Sequence, residues 1–125
     1  MMKFIYLFCL QAIILFSCKQ PNLRPILVVD RDSVDIGSIN FHDSARLQYI
    51  LSNKGDALLA IKSVGTSCGC SKAYFSDSII QPGARVELRV GYKATDTGQF
   101  KKHIVIETNS APIYKTLVFT GRVTK

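Results

Sequence analysis

The chain has 125 residues, with 16 Lys and Arg against 9 Asp and Glu and a formal net charge of +7. That length suits one domain with one modest core and leaves no room for a second. The positive balance raises nucleic acid as a partner. However, Arg46, Lys54, Lys62, Lys72, Arg85, Arg89, Lys93 and Lys115 are scattered singly, with Lys101-Lys102 adjacent, so the expectation is a solvated surface without a nucleic-acid partner.

In chain order, the first element is a leader. Met1-Met2-Lys3 is a short positive start, and the sequence then runs apolar from Phe4 to Phe16, interrupted only by Gln11. As a helix such a run reaches roughly 20 Å against roughly 30 Å of hydrocarbon, too short for a stable span. Leu15-Phe16-Ser17-Cys18 resembles the bacterial lipobox, with Leu three places before the cysteine and a small residue just before it. The resemblance implies a signal peptide over residues 1–17, cleavage before Cys18 and lipidation of Cys18, including palmitate-type acylation. Several acyl chains on one residue suffice for stable membrane attachment, whereas a single chain does not. The alternative is an ordinary secretory signal with small residues one and three places before the cut, and Leu15 argues against it. Lys19 follows the cysteine where an inner-membrane retention signal would carry Asp. The expected location is therefore the bacterial cell envelope, on the outer membrane facing the periplasm rather than the inner membrane.

Residues 18–25 contain Pro21 and Pro25 and little to bury, so they read as an extended tether. Residues 26–125 then form one domain. Apolar residues alternate and are interrupted by Gly, Asn, Asp and Pro about every dozen positions, with no long segment of helical period. This predicts an all-β chain with strands over Ile26–Asp30, Ser33–Ile39, Ala45–Ser52, Leu59–Val64, Arg85–Tyr92, Phe100–Thr108 and Ile113–Val123, plus a short extended piece at Ala73–Phe75. About seven strands imply a sandwich. Val86, Leu88, Val90 and Tyr92 should face the core while Arg85, Glu87 and Arg89 face water, and Ala45, Leu47, Tyr49 and Leu51 should turn inward likewise. Ile61 and Val64 break the period of two, which predicts a β-bulge. Asn53-Lys54-Gly55-Asp56, Gln81-Pro82-Gly83 and Thr95-Asp96-Thr97-Gly98 carry turn chemistry.

Taken together, Ile50 to Ile61, Val64-Gly-Thr-Ser-Cys-Gly-Cys-Ser71, Gln81-Pro-Gly83 and Thr97 to Asn109 resemble domain-of-unknown-function family 1573, over roughly Ser33 to Val123. The family is similar to Hydin-type immunoglobulin-like modules. The resemblance implies a single immunoglobulin-like β-sandwich of seven or eight strands, exported or lipid-anchored, without known catalytic activity. It points toward binding a protein or envelope component.

Cys68 and Cys70 are the thiols that remain once Cys9 is removed and Cys18 lipidated. On an extended strand, residues two apart face one side, and Gly69 between them lets the backbone pucker. Three uses remain open. The pair could be structural, it could form a labile redox disulfide, or it could hold a soft metal such as Cu(I) with help from His42 or His103. Two cysteines fall short of a zinc site, so neither a metal nor any other cofactor is expected. His103 lies on the water-facing side of its strand and His42 in a turn. The carboxylates are scattered and no phosphate-cradling loop, zinc helix or nucleophile elbow occurs, so the expectation is a non-enzyme. The competing reading is a thiol-redox or metal-carrying lipoprotein that works through Cys68 and Cys70.

Overall fold

A computed structural model describes residues 21–125. The expected signal peptide and Cys18 lie outside the described residues. Among the described residues nine strands follow one another: β1 (Leu27–Val29), β2 (Ser33–Asn40), β3 (Ser44–Asn53), β4 (Leu59–Thr66), β5 (Ser71–Phe75), β6 (Ile79–Ile80), β7 (Arg85–Lys93), β8 (Gly98–Thr108) and β9 (Tyr114–Thr124). They form a four-stranded sheet, β1-β3-β7-β5, and a five-stranded sheet, β2-β9-β8-β4-β6. Among the described residues, no helix is long and apolar enough to cross a membrane.

Alternation explains why these segments pair as they do. Leu47, Tyr49 and Leu51 of β3 face Val86, Leu88, Val90 and Tyr92 of β7 in an unbroken antiparallel register from Ser44↔Lys93 to Ser52↔Arg85. Their buried side meets Leu59 and Ile61 of β4, Ile104 and Ile106 of β8, and Leu117 and Phe119 of β9. Each large side chain buried this way contributes about 1.5–3 kcal/mol. Tyr92, Phe100 and Phe119 pack with ring centroids 4.6, 5.5 and 6.1 Å apart and close one end of the core.

The expected bulge is present. The pairing of β4 with β8 shifts between Ile61 and Ser63, and the extra residue restores the inward face of the strand. A second bulge, which alternation does not signal, lies in β2 between Asp35 and Ser38. There Gly37 takes a φ of +73°, a left-handed conformation that favours glycine, and its N–H donates to the Asp35 carboxylate at 2.8 Å.

The strand count exceeds seven because two short strands escape a periodicity argument. β6 has two residues, too few to show a period, and follows an Asp77 carboxylate that accepts from the Ile79 N–H at 3.0 Å. The extended piece at Ala73–Phe75 starts earlier, at Ser71, as β5. The chain is also tied to the sandwich from Arg24 onward. The Arg24 N–H donates to the Asp56 carboxylate at 2.6 Å, and the Asp56 N–H donates back to the Arg24 carbonyl at 3.0 Å. A Cβ at Gly55 would collide with the Arg24 carbonyl and the Ile26 nitrogen, so glycine is required for this approach.

Candidate functional site

Cys68-Gly69-Cys70 forms the corner where the chain leaves β4 in one sheet and enters β5 in the other. The two sulfurs are joined as a disulfide, with Cα atoms 5.3 Å apart. The Thr66 hydroxyl lies within reach of the Cys68 and Ser71 carbonyls, at 3.0 and 3.1 Å, so its one hydrogen is shared across the corner. The Lys93 N–H donates to the Cys70 carbonyl at 2.9 Å, and the Ser67 N–H to the His103 carbonyl at 3.0 Å. The corner is thus stitched to both sheets.

Both cysteines are half-buried. With the sulfurs bonded to each other the pair is in its oxidised form, and binding a soft metal would require its reduction to thiolates. His42 sits in the turn after β2 with a φ of +69° and its ring against Phe41. His103 is exposed on β8 and meets the corner through its backbone, whose N–H donates to the Ser67 hydroxyl at 3.0 Å. Among the described residues, no three His, Cys, Asp or Glu side chains gather in a metal-binding group.

A second candidate region lies on the outer face of the four-stranded sheet. Here Arg46 and Gln48 of β3, Glu87, Arg89 and Gly91 of β7, and Tyr74 of β5 line a shallow groove of about 690 Å³. An adjoining hollow of about 510 Å³ continues past Lys72, Lys93 and Gly69 to Cys70. Register sets the layout. Gln48, Arg89 and Tyr74 lie in one row across three strands, and Arg46, Gly91 and Lys72 in the next. Glu87 is held by Arg89 at 2.9 Å. Among the described residues, Arg46, Lys72 and Lys93 enter no ion pair. Tyr74 is 61% exposed, large for an aromatic side chain in mid-strand.

Sequence reasoning names the cysteines and histidines but misses this face. Its basic residues look scattered along the chain, and strand pairing brings them together.

Residues 27–123 match a family described as protein of unknown function (DUF1573). No curated protein matches the chain. A protein of unknown function from Porphyromonas gingivalis W83 superposes with a TM-score of 0.71 at 16% identity, covering 86% of this chain and 50% of its own. The chain therefore spans about half the length of that relative. The ASH/PapD-like domain 7 of human CEP192 superposes with a TM-score of 0.65 at 7% identity, over 79% of this chain and 85% of that one. The VesB protease of Vibrio cholerae gives 0.60 at 13% identity, over 79% of this chain and 32% of that one. At such identities the likeness is one of fold: an immunoglobulin-like, PapD-like sandwich.

Proposed function

The chain belongs to the DUF1573 family of proteins of unknown function, and from that premise we propose that it is a lipid-anchored, non-catalytic binding module of the bacterial cell envelope. The observation that carries the binding half is the outer face of the four-stranded sheet, where an exposed aromatic ring and unpaired cations are set in register over a shallow groove. Arg and Tyr are the side chains that interfaces favour, because one carries planar hydrogen bonding and the other a rigid apolar body with a polar tip. The anchoring half rests on the lipobox-like Leu15 to Cys18, and on it rest the membrane attachment and the periplasm-facing location.

The non-catalytic part of the proposal rests on the scatter of carboxylates and histidines along the chain. The rival thiol-redox role draws on the half-buried Cys68–Cys70 disulfide beside Lys72 and Lys93, cations that would favour a thiolate after reduction.

Two measurements test the proposal. Intact-mass analysis of membrane-extracted protein should give a chain beginning at Cys18 with added acyl mass, and an unmodified chain beginning elsewhere would sink the anchored reading. A photo-crosslinking residue at Tyr74 should give a saturable adduct in the envelope, whereas one at Thr116, on the outer face of the other sheet, should not. Equal labelling from both positions would remove the face from consideration. For the rival, a disulfide that stays closed under the most reducing biological conditions would argue against redox cycling.

A further inference from the structure

Gly91 occupies the middle of β7, where glycine weakens a strand and ordinarily marks a bulge, a bend or a close approach. None of the local reasons applies. Its φ is not among the positive values, which fall at Gly37, Gly83 and Gly98. Pairing runs without a shift through Arg46↔Gly91 on one side and Lys72↔Gly91 on the other. A Cβ built on it would meet nothing within 4 Å. What the missing side chain leaves is bare backbone open to the outer face, as at Gly65 of β4, and at Gly91 that opening is ringed by charge.

The neighbours of that opening say what it suits. Across the strands it is flanked by Arg46 and Lys72, at spacings of about 5 Å, and along its own strand by Arg89 and Lys93, at about 6.7 Å. All four are exposed cations around one empty lattice position. The one carboxylate on this part of the face, Glu87, is engaged by Arg89. Three unpaired positive charges, with Arg89 shared between Glu87 and this point, suit a compact dianion, which can take charge-assisted hydrogen bonds from several sides and a paired contact from the Arg46 guanidinium. An extended acidic peptide would instead need cations repeated along a sheet edge, and β5 offers only Lys72. Nucleic acid would need a track of cations following successive phosphates.

One row away, Tyr74 presents a flat exposed ring and Gln48 an amide that both donates and accepts, with Arg89 between them. An apolar ring face beside a bidirectional amide matches a sugar, which offers a C–H face and hydroxyls. We propose that the Gly91-centred notch binds the phosphate of a phosphorylated saccharide, the phosphoryl group resting over Gly91 among Arg46, Lys72, Arg89 and Lys93 and the sugar lying against Tyr74 and Gln48. This site deepens the binding role proposed above and rests on it.

The anchored reading also selects the source. The chain is pinned at Arg24 beside the Asn53–Asp56 turn, and Arg46 lies seven residues back along β3, about 23 Å away. The segment from Cys18 to Arg24 reaches at most about 22 Å. The notch thus lies toward the end of β3 farther from the point where the tether joins the sandwich, which favours a soluble or wall-borne glycan phosphate over a head group of the bilayer that holds Cys18.

Detergent-solubilised full-length protein titrated with glucose 1-phosphate in a calorimeter provides the test. Saturable one-to-one binding is expected, roughly tenfold tighter than inorganic phosphate, with none for glucose. Arg46→Ala and Lys72→Ala should each weaken it about tenfold, in line with the loss of one charge-assisted hydrogen bond. Gly91→Asp should abolish it without lowering the melting temperature, since the added side chain enters open space. Tyr74→Ala should weaken glucose 1-phosphate binding and leave inorganic phosphate unchanged. Absence of saturable binding, undiminished binding by Gly91→Asp, or tighter capture of a DNA oligonucleotide, a Glu-rich peptide or phosphatidate vesicles would each overturn the site. Correct acylation with no phosphosugar binding overturns the notch alone, and phosphosugar binding by an unacylated native chain overturns the anchor alone.

Discussion

Asn53 is the residue on which most local structure converges. Its amide donates to the Ala57 and Ile80 carbonyls at 2.7 and 2.9 Å, and its side-chain oxygen accepts from the N–H groups of Gly55 and Ile26 at 3.0 and 3.3 Å. It is fully buried, and no buried side-chain polar atom among the described residues lacks a partner. In the sequence it reads as the opening residue of a turn, which it is, but nothing local reveals that one amide also fastens β6 and the incoming β1. Asn53→Ala should cost about 3 kcal/mol, because several backbone groups lose their partner in a place water does not reach. Urea denaturation will measure it. Tyr49 sets a second expectation. Burial pushes its phenol up to about 12, with Arg31 opposing and Asp30 adding to the shift, and its hydroxyl donates to the Val118 carbonyl at 2.9 Å. The folded state favours the protonated form, so this stabilisation is complete below the unfolded value of about 10 and is lost as pH rises from there through about 12. Tyr49→Phe should lower stability by about 1 kcal/mol at pH 8 and flatten the alkaline decline. Denaturation midpoints at pH 8 and pH 11 decide it.

Among the elements, alternation made β3, β7, β8 and β9 legible, because each buries one face and wets the other, and the Ile61 to Val64 slip announced its bulge. What alternation cannot give is register. Arg46, Lys72, Arg89 and Lys93 belong to three strands, and only pairing through Gly91 makes them neighbours. β6 is too short to carry a period, and the β2 bulge depends on β9: a Cβ on Gly121 would stand 2.7 Å from the Phe100 ring, 2.8 Å from Ile36 and 2.9 Å from the Gly37 carbonyl. Gly121→Ala should therefore loosen β2 from β9, at a cost of about 2 kcal/mol, seen as faster amide exchange in β2 before any change in β3 or β7. The Cys68–Cys70 bond closes so small a ring that the chain-entropy contribution is only about 1.5 kcal/mol. The double Cys→Ser variant should fold with a modestly lower melting temperature, the remaining corner hydrogen bonds holding β4 to β5.

For the whole molecule, one continuous core spans both sheets, so unfolding should be a single cooperative transition with coincident fluorescence and circular dichroism midpoints. The parallel pairing of β2 with β9, from Ser33↔Val118 to Asn40↔Thr124, draws residues near the two ends of the domain together. β9 sits between β2 and β8, so a chain cut after Asn109 would lose the strand that joins β2 to the rest of its sheet and should show no cooperative melt. That one pairing also sets a clock. Ser33 leaves the ribosome some 85 residues before Val118, and at about 5–20 residues per second the delay is roughly 4–17 s. Throughout that interval β2 has no partner to join, and the newborn chain stays threadable until its final strand arrives.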